Sequence, residues 1–543
     1  MMVIRSFILG SAAVLVAAGG AQAADLPVKA KAVEYVKICS LYGAGFFYIP
    51  GTDTCIKLGG YLRADVTFNG SVHGQPAWNG DLGEQNRYRD YYSARSRMAL
   101  TVDTRTASEY GVVRTFGQAN FQFTTQGNNS DNPNVFTGSP GTGTNVSLLN
   151  QPGEGYVAME YIFIQFAGFT FGKSASAYAT PWQGFMGNLS SFLLGGQNTD
   201  TGVNNIQYTA QFGNGVSASI GLDDPVVWDR TAVFNLAYGL NAAGTGSNAY
   251  AGVHAPDIAG NIRVDQAWGL FQLSGALHEV SGSYDFLNGV AVPAGAQGPA
   301  GAAPTALSEI GGHPDTKWGG SVMAALQIKN LPTGVGDDIK IDASWALGDT
   351  KNVIGGTAAS PNFAMFGGTN RPGAYQSIGF GATTDAVWLP NRPTTGSVGA
   401  AGVFGDNQLK LTEAYGIRGA FNHSWNANWT STLWGSYSAV RYGGTAGDLT
   451  TGKGAYCAAY AVGKTFSTDY VCNPDFNVSQ LGLVTRWIPV KNLTFSAEVQ
   501  WFHLDQKFTG AATLAPTAPK PNATYEFKDQ DAVSLQVRAQ RNF

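Results

Sequence analysis

The chain is poor in charge, histidine and cysteine, and it has no long apolar run after its first two dozen residues. Charged residues make up 13% of it, about half the share usual for a soluble domain. No later segment approaches eighteen uninterrupted apolar residues, so spanning helices are excluded. The basic stripe that nucleic acid would require is missing. Once Arg5 is set aside with the leader described below, 32 basic residues face 37 acidic ones, a net of −5. Six scattered histidines without ligand spacing, and four cysteines without a C-x-x-C, call for neither a metal nor a cofactor. Enzyme motifs also break off. His278-Glu279 opens an H-E-x-x-H that never reaches its second histidine. Gly168-Phe-Thr-Phe-Gly172-Lys173-Ser174 is one residue short of a phosphate loop and lies in an alternating aromatic strand. No G-x-S-x-G occurs, so a nucleophile elbow is absent and no catalytic residue is assigned.

What remains is glycine (71 residues), aromatics (12%) and a mean hydropathy near zero, −0.07. These values suit strands that are half lipid-facing and half water-facing. Residues 1–23 have the form of a secretory signal: Arg5, an apolar core from Phe7 to Ala18, and a small-x-small site at Ala21-Gln22-Ala23. The exported chain is expected to begin at Ala24 and to form one domain, 24–543.

The C-terminal stretch sets the architecture. Val533, Leu535, Val537 and Ala539 alternate with Ser534, Gln536, Arg538 and Gln540, and the chain stops on Phe543. Period two means a strand with one apolar and one wet face. A long terminal strand needs partners on both edges, and pairing it with the first strand closes a barrel. The same alternation predicts strands at 56–68, 90–104, 109–123, 155–166, 169–176, 203–212, 215–222 and 260–267. It continues at 270–279, 317–328, 339–348, 409–421, 428–440, 478–487, 493–505 and 532–543. The connections alternate strictly between long and short, as in an all-β transmembrane antiparallel barrel of about sixteen strands with short periplasmic turns and long external loops.

Most long loops, such as 291–306, are Gly/Ser/Thr/Asn/Pro/Ala-rich and read as solvated surface loops. Loop 177–202, with Trp182, Phe185, Met186, Leu189, Phe192, Leu193 and Leu194, is too apolar for that. It is expected to fold into the lumen and constrict it, because about sixteen strands leave an aqueous bore.

Cys39, Cys55, Cys457 and Cys472 form two sequence-local pairs. In an exported chain their natural reading is two disulfides, 39–55 and 457–472, although four cysteines formally allow three connectivities.

Residues Val33 to Arg63, including Cys39-Ser-Leu-Tyr-Gly-Ala-Gly-Phe-Phe-Tyr-Ile-Pro-Gly-Thr-Asp-Thr-Cys55, resemble the porins of alphaproteobacteria, the group that includes the Omp2-type porins. The run Phe166-Ala-Gly-Phe-Thr-Phe-Gly-Lys173 and the terminal Phe543 are similar too. The resemblance implies a sixteen-stranded outer-membrane barrel that assembles as a homotrimer and passes ions and small hydrophilic solutes. It also implies an inward third loop, and a final aromatic strand recognised by the barrel-assembly machinery. Such a barrel would face outer-membrane lipid and lipopolysaccharide.

The inward-phased charges are the candidate pore residues: Arg63, Arg95, Arg97, Arg114, Arg263, Arg418, Arg486 and Arg538, with Asp65, Asp103 and Asp200. Arg63, Arg95, Arg97 and Arg114 come from three consecutive strands and form the expected constriction wall, with Asp200 as the acid opposite. The competing reading is that each arginine simply pairs with a neighbouring Asp65, Asp103, Asp265 or Glu498 and braces the wall. Trp268, Trp425, Trp429, Trp487, Trp501 and Phe543 fall near strand ends, as an interfacial girdle would. General diffusion is the leading function, and a solute-selective channel on the same barrel is the alternative.

Overall fold

The computed structural model describes residues 37–79, 83–87, 89–124, 156–198, 201–226, 229–286, 288–289, 302–303, 308–355, 361–391 and 402–543. The export signal, Asp200, most of loop 124–154 and most of 291–306 lie outside the described residues.

Among the described residues, sixteen strands form one ring. They are β1 Cys55–Phe68, β2 Tyr92–Ser108, β3 Gly111–Thr124, β4 Tyr156–Phe166, β5 Phe169–Ser174, β6 Val203–Gly213, β7 Val216–Asp223 and β8 Asp257–Gln266. The ring continues through β9 Gly269–Val280, β10 Lys317–Lys329, β11 Asp338–Leu347, β12 Glu413–Ser424, β13 Trp429–Arg441, β14 Phe476–Val490, β15 Leu493–Gln506 and β16 Gln530–Asn542. Each pairs antiparallel with its neighbours in the chain. The last pairs with the first, Phe68 opposite Leu535 through Tyr61 opposite Asn542. Closure leaves no open edge.

The alternation follows from the two solvents. Outward residues are large, apolar and exposed: Leu62, Leu273, Leu433 and Leu481 are 52–53% accessible. Inward neighbours are polar and closed, as with Gln272 at 1% and Glu498 at 0%. That inversion of the usual core is the signature of lipid on the outside. Trp268, Trp425, Trp429 and Trp487 sit on the outer surface at the short-turn end, and Trp429 stacks on Trp487 at 6.1 Å. Trp501 stands apart from these four. It lies toward the long-loop end of β15, where its indole donates to Asp531. The tightest connections need left-handed backbone. Asn214 and Gly215 have φ of 48° and 73°, as a two-residue hairpin turn demands.

The Cys39–Cys55 disulfide closes a small aromatic loop below β1, packed around Phe46.

The long loops correct the expectation of solvated coils. Four of them, between β7 and β8, β11 and β12, β13 and β14, and β15 and β16, contribute short strands to two small sheets. One has five strands (363–367, 376–381, 523–527, 511–514, 465–466) and one has three (232–235, 384–388, 410–411). They share a core in which Phe234, Phe363, Ile378, Phe380, Val387, Tyr456 and Tyr460 are buried. Helix α1, Gly452–Ala461, is capped by the Thr451 side chain accepting from the Gly454 N–H, and is bonded through Cys457 to Cys472. This core continues into the barrel against inward-facing Val440, Val478, Phe502 and Leu504. The physical reason is local. Stretches such as Phe363-Ala-Met-Phe366 and Ala386-Val-Trp-Leu389 are apolar enough to need burial, although the average loop composition hides them.

Candidate channel constriction

Segment 175–198, which follows β5, crosses the lumen and then doubles back along the opposite wall. Near its start, Asn261 of β8 and Gln272 of β9 donate to the Ala177 and Ala179 carbonyls. The Trp182 indole then donates to Asp342 Oδ2 on β11 at 2.9 Å. One residue later, Gln183 Oε1 accepts from the Tyr161 hydroxyl on β4 at 2.5 Å. Strands β4 and β11 are almost diametrically placed in the ring of sixteen, so these adjacent residues tie two opposite walls together.

The loop tip is fastened by a buried carboxylate. Glu498 of β15 accepts from the Leu189 and Ser190 N–H groups at 2.7 and 3.2 Å and from the Trp434 indole at 3.1 Å. Arg538 of β16 donates to the Leu189 carbonyl at 3.2 Å. On the way back, Gln480 holds Phe192 O and Leu194 N, each at 2.9 Å. Arg418, fully buried, pairs with Asp342 at 2.8 Å and donates to the carbonyls of Leu193, Gly196 and Gln197. The return strand lies so close to the wall that a Cβ on Gly195, whose φ is +99°, would sit 2.8 Å from Ile417 O. Trp182, Met186, Leu189 and Leu193 fill the space beneath against Leu270, Trp434 and Val484.

The expected arginines therefore separate into groups. Arg418, Arg486 and Arg538 clasp the loop, Arg486 by donating to Thr432 Oγ1 at 3.0 Å and to the Gly187 carbonyl. Arg95 and Arg538 both bind Asp65, at 2.6 and 2.5 Å, and Arg95 is closed to solvent. Arg95 also donates to His73 Nδ1 at 2.9 Å, tying in the loop after β1. Near the short-turn end Asp103 holds Arg114 at 3.0 Å and Arg105 at 3.2 Å, while Arg263 pairs with Asp265 at 2.6 Å. These are wall braces.

Arg63 and Arg97 differ. They are directly opposed across β1 and β2, on the lumen side, and both are half-buried. Among the described residues neither forms an ion pair. Arg63 Nε donates to Gln540 Oε1 at 2.9 Å and Arg97 Nε to Gln122 Oε1 at 2.8 Å. Tyr61 lies between them, its ring 4.5 Å from the Arg63 guanidinium and its hydroxyl 3.4 Å from Arg97 Nη1. Like charges set opposite on one sheet face repel, so this pair is a local electrostatic cost. Glu160, bonded to Asn120 at 2.6 Å, supplies an acid two strands away.

The two tie points of the loop, Gln183 on β4 and Leu189 on β16, bracket the arc β16–β1–β2–β3–β4. Between them Gly184, Met186 and Asn188 are buried, and Gln183, Phe185 and Gly187 keep contact with solvent. Met186 and Gly187 are held on the side of β12 and β14, the Met186 carbonyl accepting from Asn422 Nδ2 at 2.9 Å and the Gly187 carbonyl from Arg486, rather than by the arc that carries Arg63 and Arg97. The expected acid opposite them is not supplied by the described loop, since 175–198 contains no charged residue. Sequence reasoning did not single out Tyr61, Glu160 or Gln480. The phase of β1, β4 and β14 marks all three as inward, but nothing local marks what they meet.

Residues 25–536 match the family described as the porin subfamily. Porin Omp2b of Brucella suis is 34% identical over 273 residues, 49% of this chain and 64% of that protein. Porin Omp2b of Brucella abortus (strain 2308) is 35% identical with the same coverage. The match thus spans somewhat under two thirds of these relatives. Among solved structures, the outer membrane channel DcaP of Acinetobacter baumannii superposes with a TM-score of 0.51 over 91% of this chain and 99% of that one, at 13% identity, a likeness of fold. An even-stranded closed barrel with a lipid-facing belt is built for the bacterial outer membrane, and the protein resides there. The chain belongs to the porin subfamily.

Proposed function

We propose that the protein is a water-filled outer-membrane channel for passive diffusion of ions and small hydrophilic solutes, and that it is a channel rather than an enzyme. The observation that carries this reading is the inward segment 175–198. It is tied across the barrel, yet it leaves an arc lined by Tyr61, Arg63, Arg97, Gln118, Glu160 and Gln183, all half-buried. A lumen filled for structural reasons alone would have no use for solvated arginines there.

The constriction lies between that arc and the edge of the loop. Its charge is positive, because Arg63 and Arg97 outweigh Glu160, and a fixed positive ring favours anions. Arg95, Asp65, Arg538, Arg418 and Arg486 hold the constriction in shape without lining it. On this reading the working unit is a homotrimer, its surroundings are outer-membrane lipid and lipopolysaccharide, and Phe543 is the residue that the barrel-assembly machinery engages. The Phe543 N–H closes the seam by donating to Gly60 O at 3.1 Å.

The test is planar-bilayer recording of the detergent-purified protein under a salt gradient. Stable, non-saturating steps that close in threes, with a reversal potential on the anion side, are expected. A folded, heat-resistant preparation with no conductance would overturn the reading.

A further inference from the structure

We propose that the short-turn half of the lumen carries a binding site for neutral pyranose sugars, a stacking platform formed by Phe116 of β3 and Phe163 of β4. The proposal rests on the channel reading and adds to it a solute class that charge at the constriction does not select.

Phe116 and Phe163 are directly opposed on neighbouring strands, and both point into the bore, in phase with inward Arg114, Gln118 and Gln165. Their rings stack at 5.3 Å with 27° between the planes, and both keep contact with solvent. The inward face on either side is polar or bare, with Thr101 and Asp103 on β2 and Thr170 and Gly172 on β5. Gly172 stands opposite Phe163 with φ of +119°, and a Cβ there would run into the Ile162 carbonyl. That place is closed to side chains, so the Phe163 ring stays uncovered from the β5 side. In a wet lumen an uncovered apolar pair is a cost that a solute with an apolar face relieves.

The rim has the groups that hydroxyls need. Asp103, opposite Phe116 on β2, holds Arg114 at 3.0 Å, and Arg114 Nη1 donates to Gln165 Oε1 at 2.9 Å. The Arg114 guanidinium lies 5.2 and 5.5 Å from the centres of the two rings. Asp103 and Arg114 keep 14% and 28% of their side-chain surface accessible. Planar groups fixed in this way offer donors and acceptors to neighbouring hydroxyls, while the C–H face of a pyranose lies on the rings. Arg105 and Arg114 both bind Asp103, so the rim supplies directed hydrogen bonds rather than an unpaired cation, and a neutral solute is favoured over an anion.

Tyr161 sets the position of the platform along the pore. Its ring meets Phe116 edge-on at 6.5 Å, and its hydroxyl donates to Gln183 of the inward segment. The two phenylalanines are the next inward-facing pair toward the short-turn end. A solute that has passed the constriction meets them next.

Saturation-transfer NMR on the folded, detergent-solubilised protein tests the site without requiring conductance, so a silent channel and an absent platform are told apart. The probe is methyl β-D-glucopyranoside, in a zwitterionic detergent that carries no sugar. Saturable transfer is expected, strongest at the three axial protons that share one face of the ring. Mannitol has comparable hydroxyls but no such face, and should receive roughly threefold less. F116L/F163L keeps apolar bulk on both strands and should retain the heat-resistant fold while transfer falls about fivefold. Absence of transfer from the wild type, equal transfer to mannitol, or undiminished transfer in F116L/F163L would each overturn the proposal.

Discussion

Arg538 of the last strand and Asp65 of the first meet at 2.5 Å, Nε to Oδ1, across the seam that closes the barrel. The other oxygen of the same carboxylate takes Arg95 at 2.6 and 3.0 Å, and Arg538 reaches on to the Leu189 carbonyl at the tip of the inward loop. One buried acid thus links barrel closure, the wall and the constriction.

Replacing that acid strands two buried cations. D65N should destabilise the folded barrel by about 3–5 kcal/mol, the usual cost of removing one partner of a buried pair. The conversion temperature of the folded band in denaturing gels should fall accordingly. D65N/R538Q should recover part of the loss, because one uncompensated charge is removed with its partner. An unchanged conversion temperature in D65N would contradict the role given to Asp65.

Glu498 should act on the loop more than on the barrel. E498Q keeps the shape but loses the charge-assisted bonds to the Leu189 and Ser190 N–H groups, a difference of about 1.5–3 kcal/mol. The conversion temperature should move little, while single-channel traces become noisier as the tip detaches. Quiet, wild-type traces would show that the packing of Leu189 and Met186 and the bonds from Arg538 and Asn422 hold the tip without the Glu498 charge.

The strands were legible because lipid and water impose opposite demands on alternate residues, so Leu62 and Arg63 announce their faces without help from the fold. The inward phase of Arg418, Arg486 and Arg538 was equally plain. What covers them was not, since the carbonyls they bind belong to Gly187, Leu189, Leu193, Gly196 and Gln197, far away in sequence and reachable only once the ring is closed. Period two assigns a side, not a neighbour. The external core escaped for a related reason. Phe363 and Phe380 sit in stretches of five or six residues, too short to stand out from the glycine-rich sequence around them, and they are buried by partners from other loops.

The turn between β10 and β11 should be acid-sensitive. Asp337 accepts from the Thr333 hydroxyl at 2.7 Å, from the His423 ring at 2.7 Å and from the Ser424 N–H at 2.9 Å. These bonds, that from Thr333 foremost, pull its carboxyl down to about 2 from an ordinary 3.8. A depressed folded value stabilises the turn at pH above the unfolded value, and that contribution is lost as pH falls from about 4 through about 2. Amide exchange at 331–337, corrected for intrinsic rate, should therefore quicken over that interval in the wild type. D337N should exchange quickly throughout and show no such step. A wild-type profile flat from pH 5 to 2 would remove Asp337 as the cause.

The external core makes the most local prediction. Cys457 on α1 is joined to Cys472, fifteen residues on, and closing a loop of that size stabilises by roughly 3 kcal/mol in the chain-entropy picture. The helix is held from its other side by Tyr456, whose hydroxyl donates to Gly244 O at 2.5 Å, and by Tyr460, which donates to Ala242 O at 3.0 Å. Both partners belong to the loop between β7 and β8, so α1 fastens two external loops to each other. Neither the disulfide nor these two hydrogen bonds ends on the ring of sixteen strands, although the core around them continues onto inward-facing Val440 and Val478. C457A/C472A should therefore leave the conversion temperature of the barrel and the reversal potential unchanged, while protease cleaves within 442–475 many times faster than in the wild type. Equal cleavage rates would mean that the aromatic core around Tyr456, Tyr460 and Phe380 holds the loop without the disulfide. A fall in the temperature of the barrel itself would mean that the core shared with inward-facing Val440, Val478 and Phe502 carries the loss into the membrane-spanning ring, and that the two unfold as one unit.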